Sequence, residues 1–78
     1  MIKVKVKILG SLIRPENKEE FTVVIEEASS IKDLLKKLNY NEHHIKTIIT
    51  SVNGNMESHY YILNDNDTIV LKTVVGGG

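Results

Sequence analysis

Ile2, Val4, Val6 and Ile8 alternate with Lys3, Lys5 and Lys7. A period of two places one set on each side of a pleated strand, so the segment predicts a half-buried strand with its apolar set on a core. Residues 10 to 20 are polar and contain Pro15 and Asn17, which predicts a connecting loop. Leu12 and Ile13 stand in it without periodic partners. Phe21, Val23 and Ile25 then alternate with Thr22, Val24 and Glu26, a second strand and the return leg of a wide hairpin. Ile31, Leu34, Leu35 and Leu38 follow at helical spacing, one apolar face of a helix. Ser30 is a suitable N-cap, because its hydroxyl can accept a first-turn N–H. Asp33 lies near the positive end of the helix dipole, and Lys36 and Lys37 near the negative end. Asn39-Tyr40-Asn41 ends the helix, and residues 42 to 46 are ambiguous, with a further helical turn as one reading.

Residues 47 to 53 are rich in β-branched side chains and predict a third strand. Asn53-Gly54 is a strong hairpin-turn signal, and Asn55-Met56-Glu57 forms a short returning strand. Residues 58 to 63 read as irregular, with Tyr60, Ile62 or Leu63 filling the core. Asp65-Asn66-Asp67 is a turn, and Thr68 to Val75 is the last strand, with Ile69 and Leu71 on one face and Val70 and Lys72 on the other. One main helix with four or five strands makes a two-layer α+β domain. The first and last strands are the most apolar on one side and are expected at the centre of a mixed sheet. If they are neighbours they run parallel. That is the β-grasp, or ubiquitin-like, arrangement, with residues 1–75 as the domain and residues 76–78 as a flexible glycine tail.

Composition narrows the function classes. The chain has 78 residues, enough for one domain with one core. It has no Cys, which excludes a disulfide scaffold, a zinc ribbon, a thiol enzyme and a cysteine-persulfide carrier. Ten Lys+Arg balance ten Asp+Glu, which argues against a strong electrostatic grip on nucleic acid or an anionic membrane. No stretch approaches the roughly 18 apolar residues that span a bilayer, and the N-terminus lacks a signal-peptide apolar run. The expectation is a cytoplasmic monomer with no bound cofactor and no catalytic site of its own.

Gly76-Gly77-Gly78 directly follow the last strand. Glycine loses the most backbone entropy on ordering, so such a segment is expected to be mobile and exposed. Fully extended, residues 74 to 78 reach roughly 17 Å, enough to enter a partner's active site while the domain stays outside. Its chemical group is one α-carboxylate, ionised at neutral pH. Glycine has no Cβ to block attack on an activated phosphate. The tail therefore suits adenylation by another enzyme, after which the acyl-adenylate accepts sulfur or an amine. An inert small-residue terminus is the plainer alternative.

Val52-Asn53-Gly54-Asn55, the segment from Leu63 to Leu71, and Val74-Val75-Gly76-Gly77-Gly78 resemble the ThiS/MoaD sulfur-carrier family. That family commonly shows a Val-Asn-Gly turn, a Leu-x-Asp-Gly-Asp-x-Ile segment and a terminal Gly-Gly. The resemblance spans nearly the whole chain. It implies a carrier whose last glycine, Gly78, is adenylated by a ThiF/MoeB-like enzyme using ATP, with Gly76 and Gly77 as the threading segment. The resulting thiocarboxylate would donate sulfur to a synthase in thiamin or molybdopterin biosynthesis or in tRNA thiolation, where such a carrier can count as the small subunit of a synthase complex. Asn66 stands where the family usually has Gly, and Lys72-Thr73 where many MoaD-like members have Pro-Pro. The third glycine looks more like ThiS tails, while the length and the first loop look more like MoaD. Archaeal ubiquitin-like modifiers share these features, so conjugation to lysines through Gly78 is an alternative, and a non-conjugating β-grasp interaction domain is another.

Other chemistry is sparse. His43, His44 and His59 have no acidic or Cys ligand at a zinc spacing, so the expectation is no metal. Asp65 and Asp67 read as a turn, since a calcium loop with a closing Glu is missing. Lys3, Lys5 and Lys7 form a stripe that Glu19, Glu20, Glu26 and Glu27 are expected to neutralise largely across the strand pair. A gripping partner needs a surface. Apolar residues facing away from the helix are the candidates: Val24, Ile49, Val70 and Val74, joined by Val75, with Leu12 or Ile13 from the loop.

Overall fold

The computed structural model describes residues 1–10, 12 and 18–73. The lysine-alternating segment is strand β1 (Ile2–Ile8), with buried and exposed positions in strict alternation. It returns as β2 (Glu20–Ile25). Helix α1 (Ile31–Lys37) comes next, then α2 (Glu42–Thr47), β3 (Ile48–Val52), β4 (Asn55–Met56) and β5 (Thr68–Thr73). The strands form one mixed sheet in the order β2-β1-β5-β3-β4. β1 and β5 pair in parallel at its centre, and the other three pairings are antiparallel. This is the expected β-grasp, with the short α2 realising the helical reading of residues 42–46 beside the main helix.

Helix α1 starts where its chemistry dictates. The Ser30 hydroxyl accepts a hydrogen bond from the Asp33 N–H at 3.1 Å, and the Asp33 carboxylate accepts one from the Ser30 N–H at 2.9 Å. This reciprocal capping box satisfies two otherwise orphaned donors. Asn39, at φ 68°, turns the chain out of the helix. Ile31, Leu34 and Leu35 bury the apolar face in one cluster with Val4, Val6, Ile8, Ile69 and Leu71. Residues 42–47, ambiguous in sequence, form α2 because the Asn41 side chain accepts from the His44 N–H at 2.9 Å and Ile45 is buried.

One local expectation changes, one is met by a single residue, and one falls outside the described residues. Leu12 is buried in the core rather than free to meet a partner. A lone apolar side chain in a polar loop gains most by folding back over the end of the core. Of Tyr60, Ile62 and Leu63, only Leu63 is buried, while Tyr61 packs against the core and Tyr60 and Ile62 are exposed. The last strand is described to Thr73, so Val74, Val75, Gly76, Gly77 and Gly78, like Ile13, lie outside the described residues.

The turns are held by side chains. Asn53 and Gly54 both have positive φ, as a tight hairpin requires, and Asn66 adopts φ 69° without glycine. Asp67, only 5% exposed, accepts from the Asn53 side-chain amide at 2.9 Å and from the Asn64 N–H at 2.8 Å. Asn53 also accepts from the Thr68 N–H at 2.9 Å. Asp65 accepts from the Lys3 N–H at 2.9 Å. The turn before β5 is thus tied both to β1 and to the β3–β4 hairpin.

Two variants test these ties. Asp67→Ala leaves the Asn53 amide and the Asn64 N–H without their acceptor, and should cost about 1–3 kcal/mol in urea unfolding. The hydrogen bond from the Ser30 backbone N–H, then that with the Ser30 hydroxyl, and then Lys36 and Lys32 hold the Asp33 carboxyl below its ordinary value. Its depressed pKa means that the stabilisation is complete above the ordinary aspartate pKa and is lost as the pH falls through the lower folded value. Asp33→Asn should therefore flatten that part of the acid limb in thermal melts followed by circular dichroism.

Candidate functional site

The functional reading centres on the end of β5. Thr73 stands opposite Ile48, and one step earlier Lys72 stands opposite Ile49. On the other side Leu71 pairs with Ile8, and the Leu9 N–H donates to the Leu71 carbonyl at 2.9 Å. Central β5 therefore brings the chain to the sheet end where β1 also finishes. Gly78 is only five residues beyond Thr73.

Alternation decides what surrounds this end. Odd-numbered residues of β1 face away from the helices, and Leu9 continues that series just past the strand. Val70 pairs with Lys7 on one side and Ser51 on the other, and Ser51 in turn pairs with Met56. Ile49 and Val70 are therefore diagonal neighbours on the open face, close enough for apolar contact. Leu9, Ile49, Val70 and Met56 line a shallow hollow of about 90 Å³ with Lys72 at its rim. Ile49 and Val70 are half-buried, while Leu9 and Met56 are exposed.

The predicted surface is thus only partly assembled. Ile49 and Val70 come together. Val24, 44% exposed, lies opposite Lys3 on β2, away from the end at Thr73, and β1 with its lysines intervenes. Sequence reasoning did not include Leu9 and Met56. Leu9 could have been found by extending the odd-numbered series of β1 by one step, and Met56 by registering the return leg of the Asn53-Gly54 hairpin.

The remaining candidates are elsewhere. The His59 Nε2 meets the Ile48 carbonyl oxygen at 2.8 Å, so that nitrogen donates. His43 is exposed on α2. Among the described residues no three His, Asp or Glu side chains gather as a metal site. No helix among them is long and apolar enough to cross a membrane. Among the described residues a concavity of about 760 Å³ opens between β2 and the ends of the helices, lined by Phe21, Leu38, Tyr40 and His44 among others. Its described lining includes no residue of β5 and no carboxylate.

Residues 6–78 match the model of the ThiS family. Among solved structures, the chain is similar to putative molybdopterin converting factor subunit 1 from Pyrococcus furiosus (TM-score 0.77, 21% identity, covering 96% of this chain and 100% of that one). It is also similar to a chain in a complex of subunits 1 and 2 of molybdopterin-converting factor from Helicobacter pylori (TM-score 0.63, 25% identity, 99% and 100% covered). A third is a small archaeal modifier protein from Methanosarcina acetivorans (TM-score 0.72, 23% identity, 100% and 98% covered). No curated protein matches the sequence.

Because Ile49 and Val70 lie half-exposed on the open face, replacing both with Ser should change unfolding free energy by less than about 1.5 kcal/mol. Leu71→Ala, on the buried face of the same strand, should cost about 2–5 kcal/mol. Equal costs for the two variants in urea titration would place the pair in the core instead.

Proposed function

The chain belongs to the ThiS family of ubiquitin-like sulfur carriers, and on that footing we propose that it is activated at Gly78 and carries sulfur there as a thiocarboxylate. The observation that supports this most is the placement of β5. Held in parallel against β1, it is described to Thr73, five residues before Gly78 in sequence, and its Val70 and Lys72 line the hollow with Leu9, Ile49 and Met56.

The chemistry derives from the group available. The Gly78 carboxylate attacks the α-phosphate of ATP bound by a ThiF/MoeB-like enzyme, forming an acyl-adenylate and releasing pyrophosphate. Sulfide from a donor then displaces AMP and leaves the thiocarboxylate. Gly76 and Gly77 thread the partner's channel, where side chains would clash, with Val74 and Val75 at its entrance. The chain binds no cofactor itself, and ATP enters with its partner. A monomeric carrier in the cytoplasm would then deliver sulfur to a synthase. That subunit 1 of the Helicobacter pylori factor is found in a complex with subunit 2 supports such a partner. The open-face hollow is the surface that both partners grip, since a half-buried apolar cluster gains by being covered.

A second reading, conjugation of Gly78 to lysines, is supported by the likeness to the small archaeal modifier over the full chain. Mass spectrometry of the protein from its native host separates the two. Sulfur in place of one terminal oxygen supports the carrier, and Gly78 in an isopeptide bond supports the modifier. Finding neither, with the adenylating enzyme and ATP present, overturns both. Deleting Gly77 and Gly78 should abolish adenylate formation and leave cooperative unfolding unchanged. Loss of folding on deletion would make the tail structural.

A further inference from the structure

The chain is neutral as a whole, yet its charges are not evenly placed. The open face of the sheet carries Lys3, Lys5, Lys7 and Lys72 among its strand positions, against Glu20 alone. Across the β1–β2 pair only Lys7 faces an acid, Glu20, while Lys5 faces Thr22 and Lys3 faces Val24. Of the four glutamates expected to neutralise the stripe, Glu20 alone stands opposite one of its lysines in the strand register. Of the other described acids, Asp33 and Glu42 lie on the helices, Asp67 is buried in its turn, Glu19 precedes β2, Glu26 and Glu27 follow it, Glu57 follows β4, and Asp65 accepts from the Lys3 backbone N–H.

The usual reasons for lysines on a strand do not account for these. Lysines commonly guard sheet edges against pairing with another chain. β1 lies between β2 and β5, with no free edge to guard. Alternate residues along a strand are about 6.6 Å apart, within the Debye length of about 8 Å at physiological salt, so the three charges act together. The stripe also continues into the apolar hollow, because Lys7 pairs with Val70 and Lys72 rims it.

We propose that Lys3, Lys5 and Lys7 form a steering surface for an acidic protein partner, with Leu9, Ile49, Val70 and Met56 beside them as the part that is covered on docking. This rests on the carrier reading and specifies the adenylating enzyme as a partner whose docking face is apolar at its centre and acidic along one side. A protein fits better than a nucleic acid. The strand positions of this face carry no aromatic side chain on which a base could stack. Its apolar half would be left uncovered against a phosphate backbone.

The test is the association rate of full-length chain with the adenylating enzyme of the same organism, measured by stopped flow over a range of NaCl concentrations. Two variants are compared with the native protein, Lys3→Gln/Lys5→Gln/Lys7→Gln and Lys3→Arg/Lys5→Arg/Lys7→Arg. All three side chains are exposed, and circular dichroism checks that both variants fold. At low salt the Gln variant should associate about 10-fold or more slowly and lose most of its salt dependence. Its dissociation rate and its single-turnover adenylation at saturation should match the native protein, and the Arg variant should behave as native. An unchanged association rate and salt slope in the Gln variant, with Gly78 adenylated normally, overturns the steering surface alone. Failure of the native protein to form any Gly78 adenylate at saturation overturns the carrier reading and this assignment together. Binding of random-sequence duplex DNA that the Gln variant loses, with enzyme association unaltered, reassigns the stripe to nucleic acid and likewise overturns the proposal.

Discussion

β1 and β5 lie parallel at the centre of the sheet, although nearly the whole chain separates them in sequence. A parallel pair cannot be closed by a tight turn, so the connection between its strands must cross from one end of the sheet to the other. Here that connection contains β2, both helices and the β3–β4 hairpin. α1 covers the apolar face that β1 and β5 share, and β2 and β3 protect their outer edges. The Asp67 carboxylate and the Asn53 amide fix where β5 begins, by tying its turn to the hairpin, while the Asp65 carboxylate and the Asn66 N–H tie it to the backbone of Lys3. With its start fixed against β1, β5 runs in register with it, which places Leu71 opposite Ile8.

That constraint also organises the proposed site. Buried positions of β1 and β5 hold the helix layer, and alternation then commits the opposite positions to the open face. Val70 and Lys7 are neighbours there because Ile69 and Val6 are neighbours in the core. An apolar hollow and a lysine stripe thus share one surface, at the sheet end where β5 is described to Thr73. The domain supplies position, while the proposed reaction needs no side chain of its own.

Much of this was legible from local chemistry. The alternation in β1, the Ser30 cap, the Asn53-Gly54 turn and the tolerance of Asn66 for positive φ each depend on a few adjacent residues, and each is found as expected. Helix α2 was hidden because it is six residues long and buries only Ile45, too little for a helical period. The Asn41 cap was its one signal. Features that depend on register were harder. Val24 and Val70 look equivalent as outward apolar residues of strands, and only the sheet order places lysines between them. Leu9 and Met56 belong to the hollow through cross-strand alignment, which no single segment contains. Leu12 shows the converse, a loop residue whose burial depends on the finished core.

The central claim is that the terminal carboxylate is the one reacting group on an otherwise passive platform. Pyrophosphate exchange into ATP by the adenylating enzyme tests it most directly, using the native chain and a semisynthetic chain whose Gly78 carboxylate is a carboxamide. The carboxamide keeps the length, the glycines and the docking face but removes the nucleophile. The account predicts exchange that depends on the native chain and is absent with the carboxamide, which should still compete for the enzyme. Equal exchange with both chains, or none with either, would contradict it.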